Sequence, residues 1–402
     1  MGILPPDVGQ ILHAQMMCFA PEYMGQADCV DPGPPPSEDS IIMVFPKRYT
    51  SPLGSNSIDQ TWNETNALVI LTVFGRDSRE IGGIVEFRSA KRLVVGVEPG
   101  IESAADAEQG NSDALKGGGN NFGIVTSFTL TTVPLDQVWG GVLVAPKDTI
   151  PKICRLTSEF VTKIPENLDN NLIVVIGYLP DLKDIAASVA VVNTRGVTDA
   201  AVFDQWKELP KIADTTKTTS VYDLSFEVTL PENYYTSWFT LTFKNEERIM
   251  AKASELHDRL VSSLLSFVPE GDFMSQCIFQ PLPTIIAQHS VREGGNIMGL
   301  EDNESDGILF QMITMMKTPE QHAFAYAQLK ACVESLRDFA GSVEGGLFRW
   351  LYMNYADKSQ DVLGSYGPEN VKKMREVADK YDPTGVFQKL CPGGWKLAKI
   401  DA

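Results

Sequence analysis

Leu115–Thr126, LKGGGNNFGIVT, is the stretch on which the fold of this chain turns. Gly117, Gly118 and Gly119 stand in a row, Asn120, Asn121 and Phe122 follow, and Gly123 opens the apolar pair Ile124–Val125. Glycine lacks a Cβ, so the backbone can take positive φ and another group can come close to it. Asparagine tolerates the same conformations. Most glycine clusters are only flexible turns. Here the cluster changes at once into a β-type run, Gly123 to Leu130. A glycine-rich bend feeding a strand presents backbone N–H groups at a fixed place, which suits an anionic or planar cofactor. The dinucleotide pattern G-x-G-x-x-G between strand and helix is absent.

Outward from this stretch, composition bounds the rest. With 402 residues, the chain has length for roughly two domains, and 43% apolar residues supply their cores. A net charge of −18 and a pI near 4.7 argue against a nucleic-acid partner, because phosphate binding needs a basic surface. No apolar run of about 18 residues is present, so no transmembrane helix is expected. Met1–Pro6 lacks the basic flank and apolar core of a signal peptide, and the default expectation is cytoplasmic. The six cysteines contain no C-x-x-C pair, and no His, Asp and Glu cluster has metal-ligand spacing, so no metal is expected.

Strands and turns dominate the front of the chain. Ala67–Phe74, Ile84–Phe87 and Leu93–Val97 read as strands. Beyond Pro134 long amphipathic patterns appear. Strands are expected at 138–144, 172–179, 188–193, 235–243, 274–279 and 308–315. Helices are expected at 149–163 and 198–209, after a cap at Asn245, and after the capping box Thr318-Pro319-Glu320-Gln321. Such repeated units predict a sheet with helices on one face. Phe348–Asp357 reads as a further strand, and Gly367-Pro368 opens a helix through Lys380. His289 reads as a loop residue beside Gly294 and Gly295, and His257 and His322 as surface or boundary residues of helices.

Three ordered segments carry a resemblance. They are LKGGGNNFGIVTSFTL; QPLP with HSVREGGNIMGL, from Gln280 to Leu300; and YMNYAD with YGPENVKKMREVADKYDPTGVF, from Tyr352 to Phe387. Together they resemble the fungal FAD-linked oxidases of the berberine bridge enzyme-like family. The resemblance implies an α+β fold: a PCMH-type FAD-binding domain, here incomplete, plus a substrate domain of antiparallel sheet covered by helices. It implies domains at 1–135 (flavin) and 136–340 (substrate), with 341–402 returning to the flavin domain. Cofactor contacts fall on Gly117, Gly118, Gly119, Asn121, Phe122, Gly123, Ile124, Val125 and Asn354. Tyr352 and Tyr355 are the catalytic candidates, since the family's matching segment faces the flavin ring. A phenol and an amide suit the isoalloxazine edge, which offers donors and acceptors.

The family's pyrophosphate loop, Arg-Ser/Thr-Gly-Gly-His, has no match. Only Arg88-Ser89-Ala90-Lys91 stands near its place, and His13 lies in no such loop. FAD is therefore expected to bind non-covalently. The implied activity is an oxidase or dehydrogenase acting on a small molecule of secondary metabolism. Two alternatives stay open: a flavin-free descendant that uses its pocket for binding or cyclisation, and a truncated product without activity.

Overall fold

The computed structural model describes residues 113–123, 137–226, 233–292, 294–391 and 393–400, and the backbone of three strands before them. Those strands, β1 (Met43–Val44), β2 (Leu68–Phe74) and β3 (Glu80–Glu86), form a small antiparallel sheet in chain order. β2 and β3 take in two of the strands expected from sequence. The one expected at 93–97, and the run from Ile124 onward, lie outside the described residues.

The larger sheet has nine strands. They are β4 (Val138–Pro146), β5 (Asn170–Leu179), β6 (Asp184–Asn193), β7 (Ala213–Asp214), β8 (Lys217–Thr219), β9 (Tyr235–Lys244), β10 (Met274–Leu282), β11 (Gly307–Met316) and β12 (Leu347–Phe348). Their order is β12-β9-β11-β10-β5-β6-β4-β7, with β8 also on β4, and the pairings are antiparallel. β11 is buried along its whole length, as a central strand covered on both sides should be, and its apolar run is broken only by the buried Gln311 and Thr314.

Three long helices cover one face: α1 (Ile150–Lys163), α2 (Glu247–Phe267) and α3 (Pro319–Ser342). Their stripes, among them Ile153, Phe160, Leu260, Leu264, Leu329 and Leu336, are buried. They meet the rings of Phe243, Phe310 and Phe279, whose centroids follow one another at 5.8 and 5.9 Å. Burying each such side chain contributes about 1.5–3 kcal/mol. α3 starts at Thr318, whose hydroxyl accepts the Gln321 N–H at 3.3 Å. Gln321 reaches back to Lys317 N–H at 3.1 Å, one residue before the usual capping-box partner.

Several expectations need correction. The cap of α2 is Glu246, whose carboxylate accepts the Arg248 N–H. Asn245 instead donates to Ser158 O of α1 at 2.9 Å. The helix expected at 198–209 shrinks to a 3₁₀ turn, Ala201–Phe203, and one α turn, Asp204–Lys207. His289 lies on a helix, Thr284–Arg292. That helix is capped by Asp306, which accepts the Thr284 N–H at 2.8 Å from 22 residues away. His257 is not at the surface. It is fully buried beneath α2, with Nε2 3.0 Å from Ser275 Oγ. The run 348–357 is not a strand: after β12 the chain leaves the sheet and makes a 3₁₀ turn, Met353–Tyr355.

Candidate functional site

Strand register fixes what faces the side of the sheet away from α1, α2 and α3. Trp238 lies opposite Ile313, Thr240 opposite Gln311 and Thr242 opposite Leu309. Gln276, Ile278 and Gln280 lie opposite Ile313, Gln311 and Leu309 in turn. Opposed residues point the same way and neighbours alternate. Ser237 and Phe239 touch His322 and Tyr326 of α3, so odd positions of β9 face the helices. Trp238, Thr240, Thr242, Gln276, Gln280 and Gln311 therefore share the second face.

The turn at Met353–Tyr355 lies against this face. Tyr355 packs its ring on Trp238 with centroids 5.9 Å apart, and its oxygen accepts from Gln280 Nε2 at 3.2 Å. Tyr352 meets Tyr355 edge-on at 5.0 Å, and its oxygen accepts from Asn354 Nδ2 at 2.8 Å. Both phenols are buried. Gln360 holds the turn in place. Its Nε2 donates to Thr240 O at 2.7 Å, and its Oε1 accepts from the N–H groups of Thr240 at 3.1 Å and Asp357 at 3.0 Å.

The glycine stretch docks on the C-terminal segment. Gly117 (φ +115°) and Gly118 are glycines because protein atoms fill the space of a side chain. A Cβ on Gly117 would lie 2.5 Å from Met298 Cγ, and one on Gly118 would lie 2.3 Å from Phe122 Cε2. Asn121 is wholly buried. Its Nδ2 donates to Gly118 O at 2.7 Å and Trp395 O at 2.9 Å, and its Oδ1 accepts from Gln388 Nε2 at 3.0 Å and Leu397 N–H at 3.2 Å. Lys396, also buried, donates to Asn120 O at 3.0 Å and Oδ1 at 2.7 Å. Burial pushes its ammonium down to about 8. Trp395 Nε1 closes the circuit by donating to Gln360 O at 2.8 Å. Loop, tail, turn and sheet are thus one hydrogen-bonded assembly.

Of the residues singled out from sequence, Tyr352, Asn354 and Tyr355 come together at the second face. Gly118, Asn121 and Phe122 are buried and Gly117 is half-buried, and all four are spent on protein contacts. Gly119 (φ +63°) is the exposed apex of the loop, and Gly123 is half-buried beside it. Ile124 and Val125 lie outside the described residues. Sequence reading missed Gln276, Gln280, Gln311, Trp238 and Gln360. Gln276 and Gln280, four apart in one strand, were the available signal, since a strand puts i and i+4 on one face.

The second face holds buried polar atoms without a hydrogen-bond partner among the described residues: Trp238 Nε1, Thr242 Oγ1, both amide atoms of Gln276, and Gln311 Nε2. Each such group costs about 1–3 kcal/mol when left unmet. Other such atoms lie elsewhere, among them His257 Nδ1 and Thr314 Oγ1 on the helix side, but these five share one face, where a polar ligand would meet them together. An isoalloxazine and its substrate fit them, as they fit the phenol and amide pair at Tyr352 and Asn354. A separate surface cleft of about 690 Å³, lined by Asp302, Asn303, Glu344 and Arg349 among others, lies at the β12 edge and contains none of these groups. Among the described residues no cluster of His, Cys, Asp and Glu could hold a metal, and no helix is long and apolar enough to cross a membrane.

The fold is shared with solved structures. The BBE-like protein 28 of Arabidopsis thaliana superposes with a TM-score of 0.53 at 15% identity, over 73% of this chain and 64% of that one. CrmK, a flavoenzyme of shunt-product recycling in caerulomycin biosynthesis, gives 0.54 at 11% identity, over 83% and 70%. The architecture is that of the berberine bridge enzyme-like, PCMH-type FAD oxidases. No family model matches the sequence. FAD-dependent monooxygenase drtC of Aspergillus calidoustus is 32% identical over 288 residues, 71% of this chain and 54% of that protein. FAD-dependent monooxygenase sdcF of Emericella nidulans is 29% identical over 286 residues, 71% of this chain and 60% of its own length. Over the part that matches, the chain is similar to fungal FAD-dependent monooxygenases, and it spans little more than half of the length of these relatives.

Proposed function

We propose that this protein binds FAD non-covalently and oxidises a small organic molecule, of the kind made in secondary metabolism, on the second face of the nine-stranded sheet. One observation carries this. Tyr355 is set by Gln280 and Trp238 against that face, with the Tyr352–Asn354 pair beside it and unmet amides next to it. Bound FAD would supply the two-electron acceptor. The chain's own residues would do the rest. Asn354 and Tyr352 would offer a donor and a hydroxyl to the ring edge. Exposed main chain at Gly119, with Gly123 and the strand expected after it, would lie along the cofactor. Tyr355 would hold or accept the substrate proton, its oxygen already fixed by the Gln280 amide. Residues 1–135 and 341–402 would make up the flavin side and 136–340 the substrate side, which the docking of Gln388–Leu397 on Asn121 supports.

Non-covalent attachment is supported by the missing Arg-Ser/Thr-Gly-Gly-His loop. Visible absorption of the protein, as purified and after adding FAD, tests binding. Acid precipitation then tests the linkage: a colourless pellet with flavin in the supernatant is expected. A yellow pellet would show a covalent bond. A protein that neither retains nor takes up FAD would leave the flavin-free descendant or the inactive product as the explanation.

A further inference from the structure

We infer that the second face is built for an uncharged substrate rich in hydrogen-bond acceptors, with carbonyl oxygens as the groups it reads. The inference rests on the reading that this face receives the substrate, and it names the chemistry of that substrate.

The unmet atoms are mostly donors. Trp238 Nε1, Gln276 Nε2 and Gln311 Nε2 each carry N–H groups without a partner among the described residues. Thr242 Oγ1 can give or accept, and Gln276 Oε1 is the one pure acceptor. Exchanging the oxygen and nitrogen of Gln276 changes nothing, because both ends are unmet. Gln276 and Gln311 are each 1% exposed, and they lie on the adjacent strands β10 and β11, offset by two residues along the register. A ligand meeting both presents acceptors on one edge, with at most one hydroxyl or N–H for Gln276 Oε1.

Charge is excluded by the same face. By register its other members on β9, β11 and β10 are Thr236, Leu309, Ile313, Met315, Ile278 and Leu282. Among the described strand residues, ionisable side chains stand on this face only at strand ends, Lys244 on β9, Asp184 on β6 and Lys217 on the far edge strand β8. A carboxylate brought to Gln276 and Gln311 would lose its water and find no cation among the described residues of β10 and β11, a cost that neutral amide donors offset only in part. A carbonyl loses little water and gains the amide N–H groups.

Tryptophan fluorescence of the full-length protein tests this, since Trp238 lies on the face and the reading needs no turnover. Three two-ring probes are titrated: chromone (two acceptors, no charge), 2-naphthoate (one negative charge) and naphthalene (no polar atom). Chromone is expected to bind at least fivefold more tightly than either of the others, the worth of about one net hydrogen bond. Gln276→Met and Gln311→Met should each remove about that factor for chromone and leave naphthalene unchanged. In the ligand-free protein both variants should melt at or above the parent temperature, because an unmet buried amide is being replaced by an apolar chain of equal length. Equal or tighter binding of 2-naphthoate would overturn the inference, as would unchanged chromone affinity in both variants. A lowered melting temperature in both would show that the amides serve internal bonds and would overturn it too. Loss of flavin binding alone would defeat the proposed activity and leave these titrations readable.

Discussion

Gln360 stands to Thr240 as a strand residue would. Its amide gives one hydrogen bond to the Thr240 carbonyl and takes one from the Thr240 N–H, at 2.7 and 3.1 Å. β12 pairs with β9 only at Leu347 and Phe348, and the Gln360 side chain continues that edge where the backbone has left. Replacing it by alanine strands three buried backbone groups, the N–H and carbonyl of Thr240 and the N–H of Asp357. Gln360→Ala should cost about 3–6 kcal/mol in denaturant unfolding, from roughly 1–2 kcal/mol per group. Gln360→Glu should cost at least as much at pH 7, since a carboxylate cannot donate to Thr240 O. Stability within about 0.5 kcal/mol of the parent in both would refute this role.

Tyr355 is the residue on which the proposed chemistry depends most. Tyr355→Phe keeps the ring on Trp238 and removes only the oxygen that Gln280 holds. Folding and FAD affinity should change little, while flavin reduction by substrate should slow by about 100-fold, the lower range for a lost proton-transfer group. Stopped-flow absorbance separates the two effects. Reduction at the parental rate would move the proton-transfer role away from this residue.

The glycine stretch should respond to substitution through folding. Gly118→Ala drives a Cβ against Phe122 and Ala114 O, and Asn121→Ala leaves the N–H of Leu397 and the carbonyl of Trp395 unmet. Each should cost about 2–5 kcal/mol. Calorimetry on flavin-free protein measures it. A parental melting temperature combined with weakened FAD binding would return these residues to direct cofactor contact.

His257 should make the protein acid-labile. Burial pushes its imidazole down to about 4, with Asp258 pulling up and Lys147 pushing down more weakly. In the unfolded chain it titrates near 6.5. Below that pH the unfolded state takes up the proton first, so stability falls from about pH 6.5 to about pH 4 and then levels. The depth for this one group is on the order of 3 kcal/mol. Urea unfolding of the parent and of His257→Gln, at several pH values between 7 and 4, reads it as a difference in slope. Parallel curves would show that the histidine does not titrate there.

Much of the middle of the chain was legible because its signals are local and repeated. YTSWFTLTF alternates, and the α2 and α3 patterns return every three or four residues, so Tyr235–Lys244 and the helices fall close to where they were expected. The turn after Phe348 was misread because its aromatic-rich sequence suits a strand. What bends it is Gln360, whose partner Thr240 is 120 residues away. His257 misled for a similar reason. It occupies a helix position that looks amphipathic, and only Ser275 on β10 makes the inward side polar enough to take it. The glycine stretch was recognised as special, yet the cause lies in Met298, Gln388 and Leu397, which no local pattern announces.

Asn121 and Trp395 are 274 positions apart in sequence. A contact of that separation has among the largest loops to close, so it is expected to form after the sheet and helices have given the chain its shape. The same contact is then the natural first place to open, since it rests on a few polar bonds at the rim of a large apolar core. Freeing the tail would loosen the floor beside Gly119 and release Gln360 from Trp395, while the backbone ladder of the sheet stays paired. Hydrogen exchange would show it as amides of residues 117–123 and 395–397 exchanging together, well ahead of β10 and β11.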